Sequence, residues 1–207
     1  MKIELPEKVA IITGSTEGIG LGAAKQLAQC GAKVIVNGRT EQKVAQAVDA
    51  VKQAVAGADV SGVAADLSTA EGCNRLIEAV PGADILVNNL GIYGTQDFFE
   101  TDDETWQQYY DVNVMSAVRL SRHYASTMVE NSWGRILYVA SESALNIPGD
   151  MIHYGVTKTA LLGLSRGLAK RLAGTGVTVN AVLPGPTLSE GAQAFLAQSA
   201  KENGISI

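Results

Sequence analysis

Short, uninterrupted apolar runs alternate along this chain with longer segments whose apolar positions recur every three or four residues. Val9 to Thr13, Lys33 to Val36, Val60 to Ala64, Asp84 to Val87, Arg135 to Ala140 and Val177 to Val182 read as strands. Between them helices are predicted from Ile19 to Cys30, from Thr40 to Val55, from Ser68 to Val80, from Thr101 to Val129 and from Tyr154 to Ala173. A last helix is predicted over Glu190 to Ala200. Gly31 stands where a helix-ending glycine belongs, and Thr40 and Ser68 are cap residues for the helices that follow them. In the second helix Val44, Ala47, Val48 and Val51 keep helical spacing.

Strands that are apolar throughout are buried on both faces, and helices between them act as crossovers. Together these predict a doubly wound parallel α/β sheet with helices on both faces, in a single domain spanning 1–207. No internal repeat or linker interrupts it. In such sheets ligands bind beyond the carboxyl ends of the strands, so chemistry is sought there.

Composition narrows the field. Apolar residues make up 46% of the 207 residues and charged ones 18%, the balance of a folded globular chain. A net charge of −5 argues against a nucleic-acid binder, which needs a basic surface. It equally gives no attraction to anionic membranes. No apolar run reaches the roughly 18 residues of a spanning helix or the form of a signal peptide, so a cytoplasmic protein is expected. Cys30 and Cys73 are far apart and share no ligand spacing with His123 or His153, so reduced, largely buried thiols are expected and no metal site.

The first strand runs into Thr13-Gly14-Ser15-Thr16-Glu17-Gly18-Ile19-Gly20. Gly14 permits a sharp turn, Gly18 lets backbone approach a pyrophosphate, and Gly20 lets the helix pack close to the sheet. The free amides of the helix N-terminus then face phosphate oxygens. The position between first strand and first helix raises this above an ordinary tight turn and points to a dinucleotide.

Further along, Tyr154 and Lys158 lie four residues apart on one helix face. Such a pair alone is usually an ordinary surface pair. Here Ser141 stands at the end of the fifth strand, thirteen residues before Tyr154, and Asn113 lies on the long helix. Asn88-Asn89-Leu90-Gly91 ends the fourth strand and Asp66-Leu67 follows the third. A free tyrosine titrates near 10, so work near neutral pH needs roughly 4 kcal/mol of phenolate stabilisation. A unit positive charge at about 4 Å supplies about that much at an effective dielectric of about 20. No histidine is paired with a nucleophile, which leaves no basis for a hydrolase.

The Gly-x-x-x-Gly-x-Gly turn with this ordered set resembles the short-chain dehydrogenase/reductase family from residue 8 to about residue 190. The resemblance implies a Rossmann-type fold and an NAD(P)-dependent oxidoreductase acting on a small-molecule secondary alcohol or ketone. It implies that Tyr154 is the acid/base, that Lys158 holds the nicotinamide ribose and lowers the tyrosine pKa, that Ser141 orients the substrate carbonyl and that Asn113 supports a proton-relay water. It also implies that Gly14 to Gly20 cradle the pyrophosphate, Asp66 and Leu67 flank the adenine, Asn88 and Gly91 lie along the cofactor, and Pro184, Gly185 and Thr187 reach the nicotinamide. The segment Leu145 to His153 and the residues after Thr187 are expected to line the substrate pocket.

The sequence departs from the family pattern in three places. Leu90 replaces the usual alanine and crowds the nicotinamide side. Glu17 precedes Gly18, where NADP-preferring members often carry a basic residue. The chain ends at Ile207, before the helix and seventh strand with which relatives complete the sheet. A dinucleotide-binding protein without turnover, or an inactive fragment, therefore stands as the alternative. On cofactor choice, Asn37-Gly38-Arg39 offers no carboxylate for a ribose 2′-hydroxyl, and Arg39 suits a 2′-phosphate. Glu17 either opposes that phosphate or pairs with Arg39; the lean is to NADP over NAD. The helices around 104–129 and 154–173 are apolar over most of their circumference, which predicts a homodimer, or a homotetramer, built on them.

Overall fold

The computed structural model describes residues 3–187. Six parallel strands form one sheet: β1 (Val9–Ile12), β2 (Lys33–Gly38), β3 (Val60–Ala64), β4 (Ile85–Asn88), β5 (Gly134–Val139) and β6 (Val177–Val182), in the order β3-β2-β1-β4-β5-β6. The helices are α1 (Gly18–Gln29), α2 (Glu41–Ala54), α3 (Ala70–Ala79), α4 (Asp103–Tyr110), α5 (Ser116–Glu130) and α6 (Ile152–Arg171). The doubly wound parallel sheet predicted from the hydrophobic pattern is thus present. The predicted helix over Glu190 to Ala200, and any strand after it, lie outside the described residues.

The uninterrupted apolar runs form strands because each has two faces to bury. On one face Ile11, Ile35, Leu86, Ile136 and Tyr138 meet Leu76 of α3, Leu120 and Tyr124 of α5 and Leu161 of α6. On the other, Ala10, Ile12, Val34 and Val36 meet Ala24 and Ala28 of α1 and Val44, Ala47 and Val51 of α2. β3 departs from this: Ser61 and Gly62 are exposed, because β3 is an edge strand of the described sheet. Strand order reverses between β1 and β4, which opens a crevice at their carboxyl ends.

Several boundaries differ from expectation, some of them for local reasons. Thr69, not Ser68, caps α3 by accepting from the Gly72 amide, because the Asp66 carboxylate already holds the Ser68 amide and hydroxyl. The long helix begins at Asp103 behind the Asp102 cap, and a π turn over Asp111–Met115 divides it into α4 and α5. β5 ends at Val139, so Ser141 stands beyond it and caps a 3-10 turn over Glu142–Ala144.

Candidate active site

The crevice at the strand ends is a cleft of about 1130 Å³, above the roughly 300–1,000 Å³ of ordinary small-molecule sites. At its centre is the turn after β1. Gly14 adopts φ +58°, a left-handed conformation that favours glycine. A Cβ on Gly20 would stand 2.5 Å from Asn89 Nδ2 and 2.7 Å from the Gly14 carbonyl oxygen, so only glycine lets α1 enter this closely. The N-cap side chains Thr40, Thr69 and Asp102 cap α2, α3 and α4, whereas Glu17, at the N-cap of α1, makes no such bond. The N-terminus of α1 opens on the cleft through Glu17, Gly18 and Ile19, a placement that fits a phosphate-bearing ligand.

Two asparagines hold the turn. Asn37 accepts from the Gly14 amide through Oδ1 and donates to the Val63 and Ala65 carbonyls through Nδ2. Asn89 donates from Nδ2 to the Thr13 and Gly14 carbonyls, both at 2.9 Å. Sequence reasoning missed both as site residues. Their signal was position, since each is a polar residue at or just past the carboxyl end of an apolar strand.

The anticipated residues divide into two groups. Gly14, Thr16, Glu17, Gly18, Ile19, Gly20, Arg39, Asp66, Leu67, Gly91, Ser141, Tyr154, Lys158, Pro184, Gly185 and Thr187 all line the cleft. Ser15, Asn88 and Asn113 do not. Ser15 is fully buried, donating to the Ile12 carbonyl and accepting from the Asn37 amide. Asn88 donates from Nδ2 to Ser121 Oγ at 3.3 Å behind the cleft wall. Asn113 sits on the π turn, accepts from the Ile92 amide at 2.8 Å and donates to the Ile92 carbonyl and to Thr157 Oγ1. Glu17 forms its ion pair with Lys43, at 3.9 Å, and not with Arg39. Lys43, Tyr93 and Glu142 also line the cleft and were not anticipated. Leu90 packs against Gly14, where its Cα would be 3.0 Å from an added Cβ.

At the floor, α6 presents Tyr154 and Lys158 side by side, with Lys158 Nζ 5.6 Å from the centre of the Tyr154 ring. Lys158 is 4% exposed and donates to the Val139 carbonyl at 2.9 Å. Loss of hydration pulls its pKa down to about 8. The Tyr154 phenol is pushed above its usual value, because burial outweighs the opposing hydrogen bond with Ser141. The lowering expected from Lys158 does not outweigh burial. Tyr93 stands edge-on to Tyr154, ring centres 6.3 Å apart. His153, the neighbour of Tyr154, is buried against Tyr109, and burial lowers its pKa.

The site thus pairs a cleft suited to a phosphate-bearing dinucleotide with a buried phenol, hydroxyl and ammonium. Comparison with known proteins agrees. The family described as short chain dehydrogenase matches residues 8–200. The uncharacterized oxidoreductase YvaG of Bacillus subtilis (strain 168) is 48% identical over 95% of this chain and 74% of its own. The D-beta-hydroxybutyrate dehydrogenase of Cupriavidus necator is 36% identical over 97% of this chain and 78% of its own. The crystal structure of L-sorbose reductase from Gluconobacter frateurii, complexed with NADPH and L-sorbose, superposes with a TM-score of 0.92 at 36% identity, over 99% of this chain and 79% of that one. With a family match over residues 8–200 and relatives this similar in sequence and fold, the chain belongs to the short-chain dehydrogenase/reductase family of oxidoreductases.

Proposed function

We propose that the protein interconverts a secondary alcohol and its ketone, with NADP(H) preferred to NAD(H). The observation that carries this is the Tyr154 phenol beside Ser141 and the buried Lys158, at the end of a cleft large enough for a dinucleotide and a substrate. The glycine turn and α1 would hold the pyrophosphate, Asp66 and Leu67 the adenine, and Gly91, Pro184, Gly185 and Thr187 the nicotinamide end. Bound there, the nicotinamide supplies or accepts the hydride.

The protein's own part is proton management. Burial keeps the Tyr154 phenol protonated through neutral pH, so it donates its proton to the carbonyl oxygen of a ketone during reduction. Ser141 Oγ holds that oxygen within reach. Lys158 places positive charge beside the phenolate that forms. Asn113 acts as a positioning residue, through Ile92 and Thr157. In the oxidative direction the phenolate is needed first, so alcohol oxidation rises with pH where ketone reduction does not.

The names of the relatives support this class of chemistry, one denoting a ketose reductase and another a hydroxy-acid dehydrogenase. Free Cys30 and Cys73 fit a reducing, cytoplasmic setting. A homodimer through the helices around 104–129 and 154–173 belongs to the same proposal. Nicotinamide absorbance with a ketone panel tests it: wild type consumes NADPH, and Tyr154→Phe binds NADPH but turns over at least about a thousandfold slower. NADPH binding without turnover of any ketone or alcohol would favour a dinucleotide sensor instead.

A further inference from the structure

Four carboxylates line the cleft, and three of them are engaged. Glu17 faces Lys43. Asp66 accepts from Ser68. Asp111 meets Arg119 and Gln107. The Glu142 carboxylate has no hydrogen bond or ion pair among the described residues. Its backbone is fixed nonetheless: the Glu142 amide donates to the Pro184 carbonyl at 3.0 Å. Its side chain lies against the Pro184-Gly185-Pro186 turn, where a Cβ on Gly185 would be 3.3 Å from Oε2.

Glu142 directly follows Ser141, which lines the cleft with Tyr154, so the free carboxylate sits at the reacting end of the cleft. Ser143 lines the same end, and its amide donates to Ser141 Oγ at 3.1 Å. Across from them the Tyr93 ring, 42% exposed, stands beside Tyr154. We infer that Glu142 is a specificity-determining residue and that it selects neutral ketones carrying further hydroxyl groups, which is to say polyhydroxy ketones and their alditols. This rests on the alcohol–ketone reading above and narrows it.

The charges at this end decide the class. An ionised carboxylate offers acceptors only, so it asks its ligand for donors, and hydroxyl groups provide them. An anionic substrate such as an oxo acid would bring like charge against Glu142. A cationic one would gain from Glu142 but bring like charge towards the Lys158 ammonium, 5.6 Å from the centre of the Tyr154 ring. A neutral polyol meets neither repulsion, and the partly exposed Tyr93 ring in the cleft lining offers its carbon skeleton an apolar surface. Glu142 is exposed, so a ketone without hydroxyl groups leaves its carboxylate to water, whereas a hydroxyl-bearing ketone gains a charge-assisted hydrogen bond there.

The test uses the NADPH-loaded protein and four six-carbon ketones: a ketohexose, 2-hexanone, 5-oxohexanoate and an amino-hexanone. The expected order places the ketohexose first, by at least about tenfold in kcat/KM over each of the others. In Glu142→Ala the ketohexose-to-hexanone ratio falls about ten- to a hundredfold, mostly through KM. In Glu142→Gln, which keeps shape and an acceptor, the ratio falls less and 5-oxohexanoate gains relative to the ketohexose. A second readout needs no turnover: ketohexose binding to NADPH-loaded Tyr154→Phe, followed by NADPH fluorescence, weakens about tenfold when Glu142→Ala is added. A wild-type preference for the charged or hydroxyl-free ketones, or a ratio and an affinity unmoved by Glu142→Ala, would overturn the inference. Absence of turnover with all four ketones, with ketohexose binding still dependent on Glu142, would instead remove the hydride-transfer reading and leave the polyol site standing.

Discussion

Asn113 Nδ2 donates to Thr157 Oγ1 at 2.9 Å, and this bond fastens the π turn between α4 and α5 to the helix that carries Tyr154 and Lys158. The same asparagine holds both backbone groups of Ile92, next to the cleft residue Gly91. Thr157 in turn donates to the Tyr154 carbonyl at 2.7 Å. One side chain thereby ties three segments of the cleft together. The π turn, rare in helices and frequent at functional sites, is what brings Asn113 to that junction.

Thr157→Val keeps the shape of this junction and removes the hydroxyl. One buried Asn113 donor then loses its acceptor, at a cost of about 1–3 kcal/mol. Chemical denaturation should show that loss of stability. Steady-state assay should show a fall in kcat of about tenfold with NADPH affinity within about twofold, as expected where a catalytic helix is misplaced and a binding contact is not. Unchanged kcat in a destabilised variant would confine Asn113 to a structural role.

Lys158 should cost the fold stability. Its pKa falls from the usual 10.5 to about 8, because burial disfavours the charged form. Below pH 8 the ammonium is charged in both states, and the folded state bears the full penalty, of order 3 kcal/mol. Between about 8 and 10.5 the unfolded chain binds more protons than the folded one, so stability from this group rises with pH through that window. Lys158→Met removes the penalty but orphans the Val139 carbonyl, which returns about 1 kcal/mol or more. The variant should therefore be about 1–2 kcal/mol more stable than wild type at pH 7 and inactive. Equal stability at pH 7 and pH 10 in both proteins would show that Lys158 is not strained by burial.

Cofactor choice should rest on Arg39 and Lys43 together. Both line the cleft beside Thr40, at the end away from Tyr154, where β2 ends in Asn37-Gly38-Arg39 without a carboxylate. Arg39→Ala should weaken NADPH about ten- to a hundredfold and leave NADH within about twofold, since only the first carries the 2′-phosphate. Glu17→Gln should tighten NADPH a few-fold by freeing Lys43 from its ion pair. Isothermal titration with both cofactors separates these effects. Equal losses for the two cofactors in Arg39→Ala would overturn the preference.

The sheet was legible because its signal is local and repeated: neighbours such as Ile11 and Ile12, or Val34 and Ile35, point to opposite faces, and both faces are buried where helices flank them. The glycine turn and the Tyr154–Lys158 pair were legible because spacing alone puts them in place. The failures share a cause, which is that side-chain direction depends on neighbours distant in sequence. Asn88 and Asn89 are adjacent and alike, yet Asn88 turns to Ser121 and Asn89 to the glycine turn. Glu17 met Lys43 because the first turn of α2 brings that lysine over the cleft, which no spacing rule encodes. The π turn left no trace in the hydrophobic periodicity of the long helix, and so its break at Asp111 was invisible.

Self-association should leave α6 as its centre, although the chain covers more of these helices than their apolar composition suggests. Val112, Val114, Ala117, Leu120, Tyr124 and Ala125 of the α4–α5 segment are buried within the one chain, as are Leu161 and Leu172 on and just after α6. What remains outside is narrower: Tyr110 at 41% and Val156 at 39% exposure, with Leu162 half-buried. Open space surrounds Gly163 and Gly167, where an added Cβ would meet nothing within 4 Å. A helix bare at two glycines and flanked by Val156 and Leu162 can approach its own copy closely, and a two-fold axis makes such a surface complementary to itself. A dimer is therefore expected over a tetramer. Leu162→Arg sets like charges against each other across that axis and should give monomers in sedimentation at micromolar concentration. Because α6 also carries Tyr154 and Lys158, the monomer should lose most of its turnover while its far-ultraviolet dichroism stays unchanged. A wild-type protein that sediments as a fully active monomer would rule the interface out.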